Sequence, residues 1–423
     1  MSASAGPVAP GSVARVGVAT AITAACGYAV LYLAARKLEP AGFAVFGVFW
    51  GAFGLVTGAA NGLLQEATRE VRTAGAAHRS TDRALTRPIW VAAGVGLAAG
   101  TVIAGTSPLW APYVFAEERP LSVALLSVGL AGFCLHATLL GMLAGTDRWS
   151  QYGALMVTDA VIRVVIATTA FLFGWGLAGF LWATVAGALA WLLLLVVSAS
   201  ARAAAGSRTS GTVTNFLRGS AHSIAAAGAS AVLVMGFPVL LKATSGELGA
   251  AGGVVILAVT LTRAPLLVPL TAMQGNLIAY FVDHHSARLR ALLAPAAIVT
   301  IVGGIGVFGA ALIGPWLMRV GFGPEYRASG VLLAWLTAAA VSIALLTLTG
   351  AATVAAALHR AYAIGWVGAT VTAALLLTLP LSLESRTVIA LLCGPLVGIA
   401  VHLAALSRGP GLVKWPTGQV GAR

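Results

Sequence analysis

Residues Ala250 to Phe281 read AAGGVVILAVTLTRAPLLVPLTAMQGNLIAYF, an apolar run with Arg263 as its single charged residue. In a helix with a rise of about 1.5 Å per residue, Arg263 lies about 20 Å from Ala250, deep inside a hydrocarbon layer about 30 Å thick. Pro265 and Pro269 follow closely and predict that the helix is kinked or broken there. Because a lone arginine at that depth is costly, we expect its side chain to face protein, water or a ligand.

The composition around this stretch is that of a polytopic membrane protein. Of 423 residues, 59% are hydrophobic and 9% are charged, and the mean hydropathy is +0.95. The formal net charge of +13 comes from Lys and Arg in short clusters between apolar runs, a pattern that excludes nucleic acid as a partner. Cys26, Cys134 and Cys393 all fall in apolar runs without a CxxC motif, so neither a disulfide framework nor a metal site is predicted.

Twelve apolar runs along the chain are long enough to cross a bilayer. The first six are Val16 to Ala35, Gly42 to Leu64, Pro88 to Thr106, Leu121 to Ala144, Gly153 to Phe173 and Leu177 to Ala199. The second six are Ser220 to Leu241, Ala250 to Phe281, Leu292 to Ile313, Ser329 to Ala357, Tyr362 to Leu379 and Thr387 to Leu406. Only Gly174, Trp175 and Gly176 separate the fifth run from the sixth, which requires a tight hairpin there.

The fold class predicted from these runs is an all-α polytopic membrane protein with about twelve transmembrane helices in two six-helix bundles around a central cavity. The predicted division is a disordered tail, a first bundle, a cytoplasmic linker, a second bundle and a cytoplasmic tail, over residues 1–15, 16–200, 201–219, 220–406 and 407–423. With a cytoplasmic N-terminus, 16 of the 25 Lys and Arg residues fall in inner segments and seven in outer ones. We therefore expect both termini in the cytoplasm and the chain in the cytoplasmic membrane.

Loop sequences indicate that the two sets of six runs are related. Residues Phe115 to Ser122 open the fourth run, and Phe322 to Ser329 open the tenth, each with a glutamate followed by an arginine. The fourth run ends in the turn Asp147 to Trp149, and the tenth in the basic and aromatic turn His359 to Tyr362. Such internal repeats are common in transporters and support a six-plus-six architecture.

Two segments near the N-terminus resemble a known family. Residues 35–47, ARKLEPAGFAVFG, and residues 65–70, QEATRE, are similar to the opening of the polysaccharide-transporter flippases, the O-antigen and teichoic-acid type exporters. That family belongs to the multidrug, oligosaccharidyl-lipid and polysaccharide exporter superfamily. The segment AGFAVFG departs from the commoner Asp-Tyr-Gly form of the family. The resemblance implies two bundles around a cavity that opens alternately to either side, and a lipid-linked oligosaccharide as cargo, with polysaccharide-assembly enzymes as further partners.

The chemistry of that cargo agrees with the two basic residues inside the predicted spans, Arg163 and Arg263. A pyrophosphate in a layer of low dielectric constant needs fixed cations, and arginine binds phosphate oxygens bidentately without losing its proton. Because each bundle contributes one arginine, we predict that the two guanidinium groups clamp the pyrophosphate between the bundles. Two alternatives remain open for Arg163: it pairs with Asp159 four residues earlier, or Asp159 serves as a coupling group for H⁺ or Na⁺. For Arg263 the alternatives are snorkelling and pairing with another helix.

Four amides at predicted inner ends of spans are weaker candidates for the same site. Asn61 and Gln65 close the second run, and Gln274 and Asn276 lie near the end of the eighth. They are predicted either to hydrogen-bond the sugars of the cargo at the cytoplasmic mouth or to serve as ordinary interface residues. Membrane lipids are expected as further partners of the protein.

No catalytic, nucleotide-binding or cofactor-binding motif is found, so the sequence predicts a transporter without a cofactor and not an enzyme. The function predicted is a flippase for a polyprenyl-pyrophosphate-linked oligosaccharide. The alternative is a cation-coupled drug or metabolite antiporter of the same superfamily, which would depend on buried carboxylates such as Asp159.

Overall fold

The computed structural model describes residues 10–76, 86–209, 211–284 and 288–408. In order the helices are α1 (Pro10–Ala76), α2 (Pro88–Val114), α3 (Arg119–Gly145), α4 (Trp149–Phe173), α5 (Gly176–Ala186), α6 (Ala190–Val197), α7 (Ala199–Ala205), α8 (Val213–Val234), α9 (Phe237–Ser245), α10 (Gly249–Ala272), α11 (Gln274–Asp283), α12 (Arg288–Phe322), α13 (Gly330–Ala355), α14 (His359–Leu377) and α15 (Leu383–Ser407). The tail predicted over residues 1–15 is already helical from Pro10, and its first nine residues lie outside the described ranges. The tail predicted over residues 407–423 lies almost wholly outside them.

Within the described ranges, ten helices are long and apolar enough to cross a membrane, and the bent pair α8 and α9 makes an eleventh span. The first of the ten, Arg15–Ala74, has 60 residues and contains two predicted spans. Glu39, with φ 55° and ψ 174°, interrupts its helical backbone immediately before Pro40. Because proline suits the first turn of a helix, Glu39 and Pro40 divide α1 into a first and a second half. With α1 counted as two spans and the bent pair as one, the described helices agree with the twelve predicted spans.

The sixth span is interrupted in a way that its uniformly apolar sequence does not indicate. It consists of α5, a 3₁₀ turn over Gly187–Leu189, and α6. The predicted hairpin before it is confirmed, since α4 ends at Phe173 and Gly174 and Gly176 adopt left-handed φ values of 68° and 59°. Glycine allows that conformation without steric cost.

The turns that leave α3 and α13 have the same geometry, as the internal repeat predicts. Asp147 and Ala357 are both left-handed, with φ 55° and 58°. The next N–H in each turn donates to the carbonyl five residues earlier, at 2.8 Å for Arg148 and 2.9 Å for Leu358, which is the hydrogen bond of a Schellman C-cap. The structure therefore aligns Arg148 with Leu358 at the exits of the two helices.

The second half of α1 forms the seam between the two bundles. It packs against α8 through closely spaced glycines, where larger side chains would collide. A Cβ atom on Gly58 would lie 2.7 Å from the Cβ atom of Ala231, and one on Gly62 would lie 2.6 Å from the Cα atom of Ile224. Small residues at such spacing let membrane helices approach each other closely.

Burial along α10 shows that its N-terminal half is closely packed and its C-terminal half is more exposed. Residues 252–259 are all buried, whereas of the residues from 260 to 271 only Arg263 and Leu270 are buried. The buried end packs against α1 at the carbonyl of Pro40. In the predicted topology this closed end is the outer one, and the end with Leu270 faces the cytoplasm.

Candidate substrate site between the bundles

Arg263 lies in the middle of α10 with 8% of its surface exposed. Its Nη1 donates to the carbonyl of Val234 at 3.1 Å and is 3.5 Å from that of Leu233. The guanidinium carbon lies 5.2 Å from the ring centroid of Phe237. Val234 ends α8 and Phe237 begins α9, so Arg263 binds the end of a broken span in the neighbouring helix.

The break between α8 and α9 explains why a cation is stable at this position. The two helices meet at 61°, and Pro238 in the first turn of α9 has no N–H to continue the hydrogen-bond ladder. Carbonyls at a helix C-terminus carry partial negative charge, which favours a nearby cation. Pairing with another helix, one of the alternatives open for Arg263, is therefore observed.

The expected break in the helix of Arg263 itself lies elsewhere. α10 continues through Pro265 and Pro269 and ends at Ala272, and Met273 separates it from α11. The helix is therefore not broken at the prolines but at Met273, and a kink at the prolines stays a prediction. The sequence signal for the break whose end binds Arg263 is the pair Gly236 and Pro238 in the seventh span, and this break was not predicted.

One arm of the Arg263 guanidinium remains unused. Its Nη2 is buried and has no hydrogen-bond partner among the residues that the structure describes. Among the described residues no carboxylate forms an ion pair with it. A buried cation with a free donor is an unusual and costly arrangement, so an anionic ligand group would satisfy both the charge and the donor.

Arg163 in α4 is, in contrast, neutralised within its own bundle. Its Nε and Nη2 each donate to Oδ1 of Asp159 at 3.0 Å, and both side chains are largely buried, with 14% and 13% exposed. Nη1 donates to the carbonyl of Thr184 at 2.6 Å, and the guanidinium carbon lies 5.5 Å from the ring centroid of Phe53. The structure thus contains the ion pair that was one of the alternatives for Arg163.

This ion pair lies against the 3₁₀ interruption of the sixth span. A Cβ atom on Gly187 would lie 2.6 Å from Nε of Arg163, so only glycine leaves room for the pair. Thr184 belongs to the last turn of α5, which ends at Ala186. Each midspan arginine therefore binds carbonyls at the C-terminus of an interrupted helix, α5 for Arg163 and α8 for Arg263.

The surroundings of both arginines include neighbouring residues of the second half of α1. Arg163 contacts Phe53, while a Cβ atom on the adjacent Gly54 would lie 3.2 Å from the Cβ atom of Met235. Met235 directly follows Val234, the partner of Arg263. Among the described residues the two guanidinium groups bind different partners, Asp159 and Thr184 for Arg163 and Val234 for Arg263.

The four predicted amides lie on two separate helices. On α1, Asn61 is half-buried and Gln65 is exposed; at the start of α11, Gln274 is half-buried and Asn276 is exposed. Asn61 and Gln65 lie in the last third of α1, and Gln274 and Asn276 lie in the first turn of α11. No hydrogen bond joins the two pairs among the described side chains, and their contribution to a cargo site stays a prediction.

A hydrogen bond from Tyr326 closes the opposite end of the seam. Its hydroxyl donates to the carbonyl of Ala35 at 3.0 Å, and its ring packs edge-on against Phe43 at 6.2 Å. Burial, followed by the carboxylates of Glu325 and Glu39, raises the pKa of the Tyr326 phenol above its usual range. The phenol therefore remains a donor between the loop after α12 and the first half of α1.

A polar cluster in the second bundle was not predicted. His402 in α15 is fully buried, with Nδ1 3.0 Å from Oγ1 of Thr349 and Nε2 3.3 Å from the carbonyl of Tyr362. Gly365 leaves room for the imidazole, because a Cβ atom there would overlap it. Since both ring nitrogens have partners, His402 joins α13, α14 and α15.

Comparison with known proteins places the chain in a family. No protein-family model matches it. An uncharacterized protein of Mycobacterium bovis is 72% identical over 406 residues, covering 96% of this chain and 94% of that protein. An uncharacterized protein of Mycobacterium tuberculosis is 66% identical over 410 residues, with the same coverage of 96% and 94%. The chain belongs to the family of these mycobacterial proteins.

The fold of this family member is similar to that of MATE transporters. An inward-facing multidrug resistance MATE family transporter of the MOP superfamily gives a TM-score of 0.73 at 16% identity, over 94% of this chain and 98% of that one. An outward-facing multidrug resistance MATE family transporter gives a TM-score of 0.66 at 16% identity, over 94% of this chain and 96% of that one. A MOP superfamily transporter from Pyrococcus furiosus gives 0.62 at 15% identity, over 94% and 95%.

These similarities confirm the predicted all-α fold with two bundles. At this level of identity the likeness concerns the fold alone. The narrower resemblance to the polysaccharide-transporter flippases stays a prediction.

Proposed function

We propose that this protein is an alternating-access exporter that moves a polyprenyl-pyrophosphate-linked oligosaccharide, a precursor of cell-surface polysaccharide, across the cytoplasmic membrane. The observation that carries the proposal is the free Nη2 of Arg263, buried at midspan without a carboxylate partner among the described residues. Pyrophosphate is an anion whose paired oxygens match the planar donors of arginine. In this proposal the positive charge of Arg263 binds the pyrophosphate of the cargo.

The conformation described supports entry of the cargo from the cytoplasmic side. The seam is closed at Tyr326, whereas α10 beyond Val259 is more exposed. In the proposed cycle the pyrophosphate reaches Arg263 through this open end, while the polyprenyl tail stays in the bilayer. Asn61, Gln65 and the amides of α11 offer hydrogen bonds to the sugars.

The ion pair of the first bundle supplies a means of coupling. Binding of H⁺ or Na⁺ at the carboxylate of Asp159 weakens its bonds to Arg163 and frees a second guanidinium. The freed group then completes the predicted clamp once the bundles reorient. Enzymes that assemble the polysaccharide are the expected suppliers and consumers of the cargo.

A second candidate function is a cation-coupled drug or metabolite antiporter. The observation in its favour is the buried carboxylate of Asp159, since such groups carry coupling ions in membrane transporters. The charge of Arg263 opposes it, because an un-neutralised cation at midspan repels the cationic compounds that many drug exporters would carry.

Lipid analysis of a strain that lacks this protein tests the proposal. We expect polyprenyl-pyrophosphate-linked sugars to accumulate, and both the wild-type gene and an Arg319→Ala variant to remove them. Arg319 is a suitable control because it is an exposed arginine at the end of α12. A deletion strain with normal lipid-linked sugars and raised sensitivity to a cationic drug would support the antiporter instead.

A further inference from the structure

A surface groove of about 540 Å³ runs between the first half of α1 and the first half of α4. Its floor is made of small residues: a Cβ atom on Gly153 would lie 3.5 Å from the Cβ atom of Ala19. Its walls are the exposed apolar side chains of Val18 and Ile22 on α1, and it extends to Val157 on α4. The groove is thus shaped and lined for a narrow apolar chain that runs along the helices.

The two ends of the groove differ in chemistry. One end carries Arg15, whose Nη1 donates to Oγ of Ser150 at 3.2 Å, and the indole of Trp149. Arg15 has no carboxylate partner among the described residues, and no acidic side chain lines the groove. Arginine and tryptophan at the start of a span are typical of the headgroup level of a bilayer. From Arg15 to Ile22 the groove extends about 10 Å toward the middle of the membrane at the rise of a helix.

We propose that this groove is a binding site for an anionic phospholipid of the cytoplasmic leaflet, with its phosphate on Arg15 and one acyl chain on Ala19, Gly153 and Ala154. Charge complementarity favours a headgroup with net negative charge, because among the described residues no carboxylate pairs with Arg15 or lines the groove, and a zwitterionic headgroup brings its own cation. The apolar lining of the groove favours an acyl chain over a polar ligand. Ser150 holds the guanidinium at the mouth of the groove.

The occupant is a resident lipid and not the transported molecule. The phosphate level of a bilayer coincides with Arg15, at the first residue of the first span, whereas the proposed cargo phosphate binds Arg263 at midspan. One molecule cannot place the same phosphate at both depths. The lipid site therefore does not rest on the proposed function and stands whether the cargo is a lipid-linked sugar or a drug.

Photocrosslinking in nanodiscs tests the site with the full-length protein. The probe is phosphatidylglycerol with a diazirine near the end of one acyl chain, present as a minor component in phosphatidylcholine, and labelled residues are mapped by mass spectrometry. Two variants alter the groove: Arg15→Gln removes the charge, and Ala154→Phe fills the channel at an exposed alanine. Arg119→Gln and Ala297→Phe make the same changes at exposed positions outside the groove.

We expect labelling to concentrate on the first halves of α1 and α4. Arg15→Gln should lower it about fivefold, the equivalent of about 1 kcal/mol for one basic residue near an anionic surface. Ala154→Phe should remove acyl-chain labelling of α4, and the two control variants should match the wild type. Equal labelling by a phosphatidylcholine probe, unchanged labelling of Arg15→Gln, or displacement of the probe by equimolar polyprenyl phosphate would each overturn the proposal.

Discussion

Replacing Arg263 by methionine separates the two explanations of its charge. Methionine keeps a long, flexible side chain and removes the cation. If Arg263 exists to hold α8 and α9 together, the variant unfolds; if it exists for an anionic cargo, the variant folds and does not transport. The contacts of the guanidinium allow the first effect to be estimated.

The variant loses one well-formed hydrogen bond from a charged donor, to Val234 at 3.1 Å, and one contact with the ring of Phe237 at 5.2 Å. These are worth about 1.5–3 kcal/mol and about 1–2 kcal/mol. Removing a charge from the membrane interior returns about 2.5–3.5 kcal/mol. The terms largely cancel, so the free energy of unfolding should fall by no more than about 2.5 kcal/mol.

The effect on transport should be far larger. Two bonds from a guanidinium to a phosphate are worth at least about 3 kcal/mol, which corresponds to a rate loss of about a hundredfold. The assay is the amount of polyprenyl-pyrophosphate-linked sugars in a deletion strain that expresses the Arg263→Met variant, with membrane insertion checked by immunoblot and thermal unfolding in detergent. Complete complementation by a well-folded variant would refute the cargo role, and a variant that fails to fold would show that the cation is structural.

Three further outcomes are expected. If Asp159 and Arg163 only neutralise each other, Asp159→Ala together with Arg163→Ala should impair transport less than either single change, because each single variant leaves one buried charge unpaired. The proposed coupling role predicts instead that the double variant transports no better than either single one. Tyr326→Phe should shift the population toward the outward-open state about fivefold, because it removes a hydrogen bond worth about 1 kcal/mol. Thiol labelling of a cysteine placed at the outer end of the seam measures this shift. In the wild type the same hydrogen bond should weaken only as the pH rises above the usual range of a phenol, because the pKa of Tyr326 is raised. Gly365→Ala should lower the stability in detergent by about 1–3 kcal/mol, because its methyl group overlaps the buried imidazole of α15; Gly368→Ala, whose methyl group would have 3.7 Å to its nearest neighbour, is the control that should match the wild type.

Local sequence was sufficient for the fold class because each span contains its own signal. A helix of about 20 apolar residues satisfies its backbone internally wherever it lies in the membrane, so the runs of the chain predict their number and approximate limits without tertiary information. The same holds for the hairpin at Gly174 and Gly176, where a three-residue connection leaves few conformations.

The candidate site was predicted only as far as its residues could be judged one helix at a time. The ion pair of Asp159 with Arg163 follows from their spacing on one helix. The partner of Arg263 does not, because the carbonyl of Val234 lies 29 residues away in a helix whose break is set by Gly236 and Pro238. Sequence spacing carries no information on which helix end packs beside which arginine.

Length, apolarity and charge are local properties, so a membrane protein of two related bundles with an arginine inside a span of each could be predicted from the sequence alone. The contacts of those two arginines could not. Packing neutralises Arg163 within its own bundle and, among the described residues, leaves Nη2 of Arg263 without a partner. A buried charge depends on groups brought to it by packing, and packing joins residues that are distant in the chain.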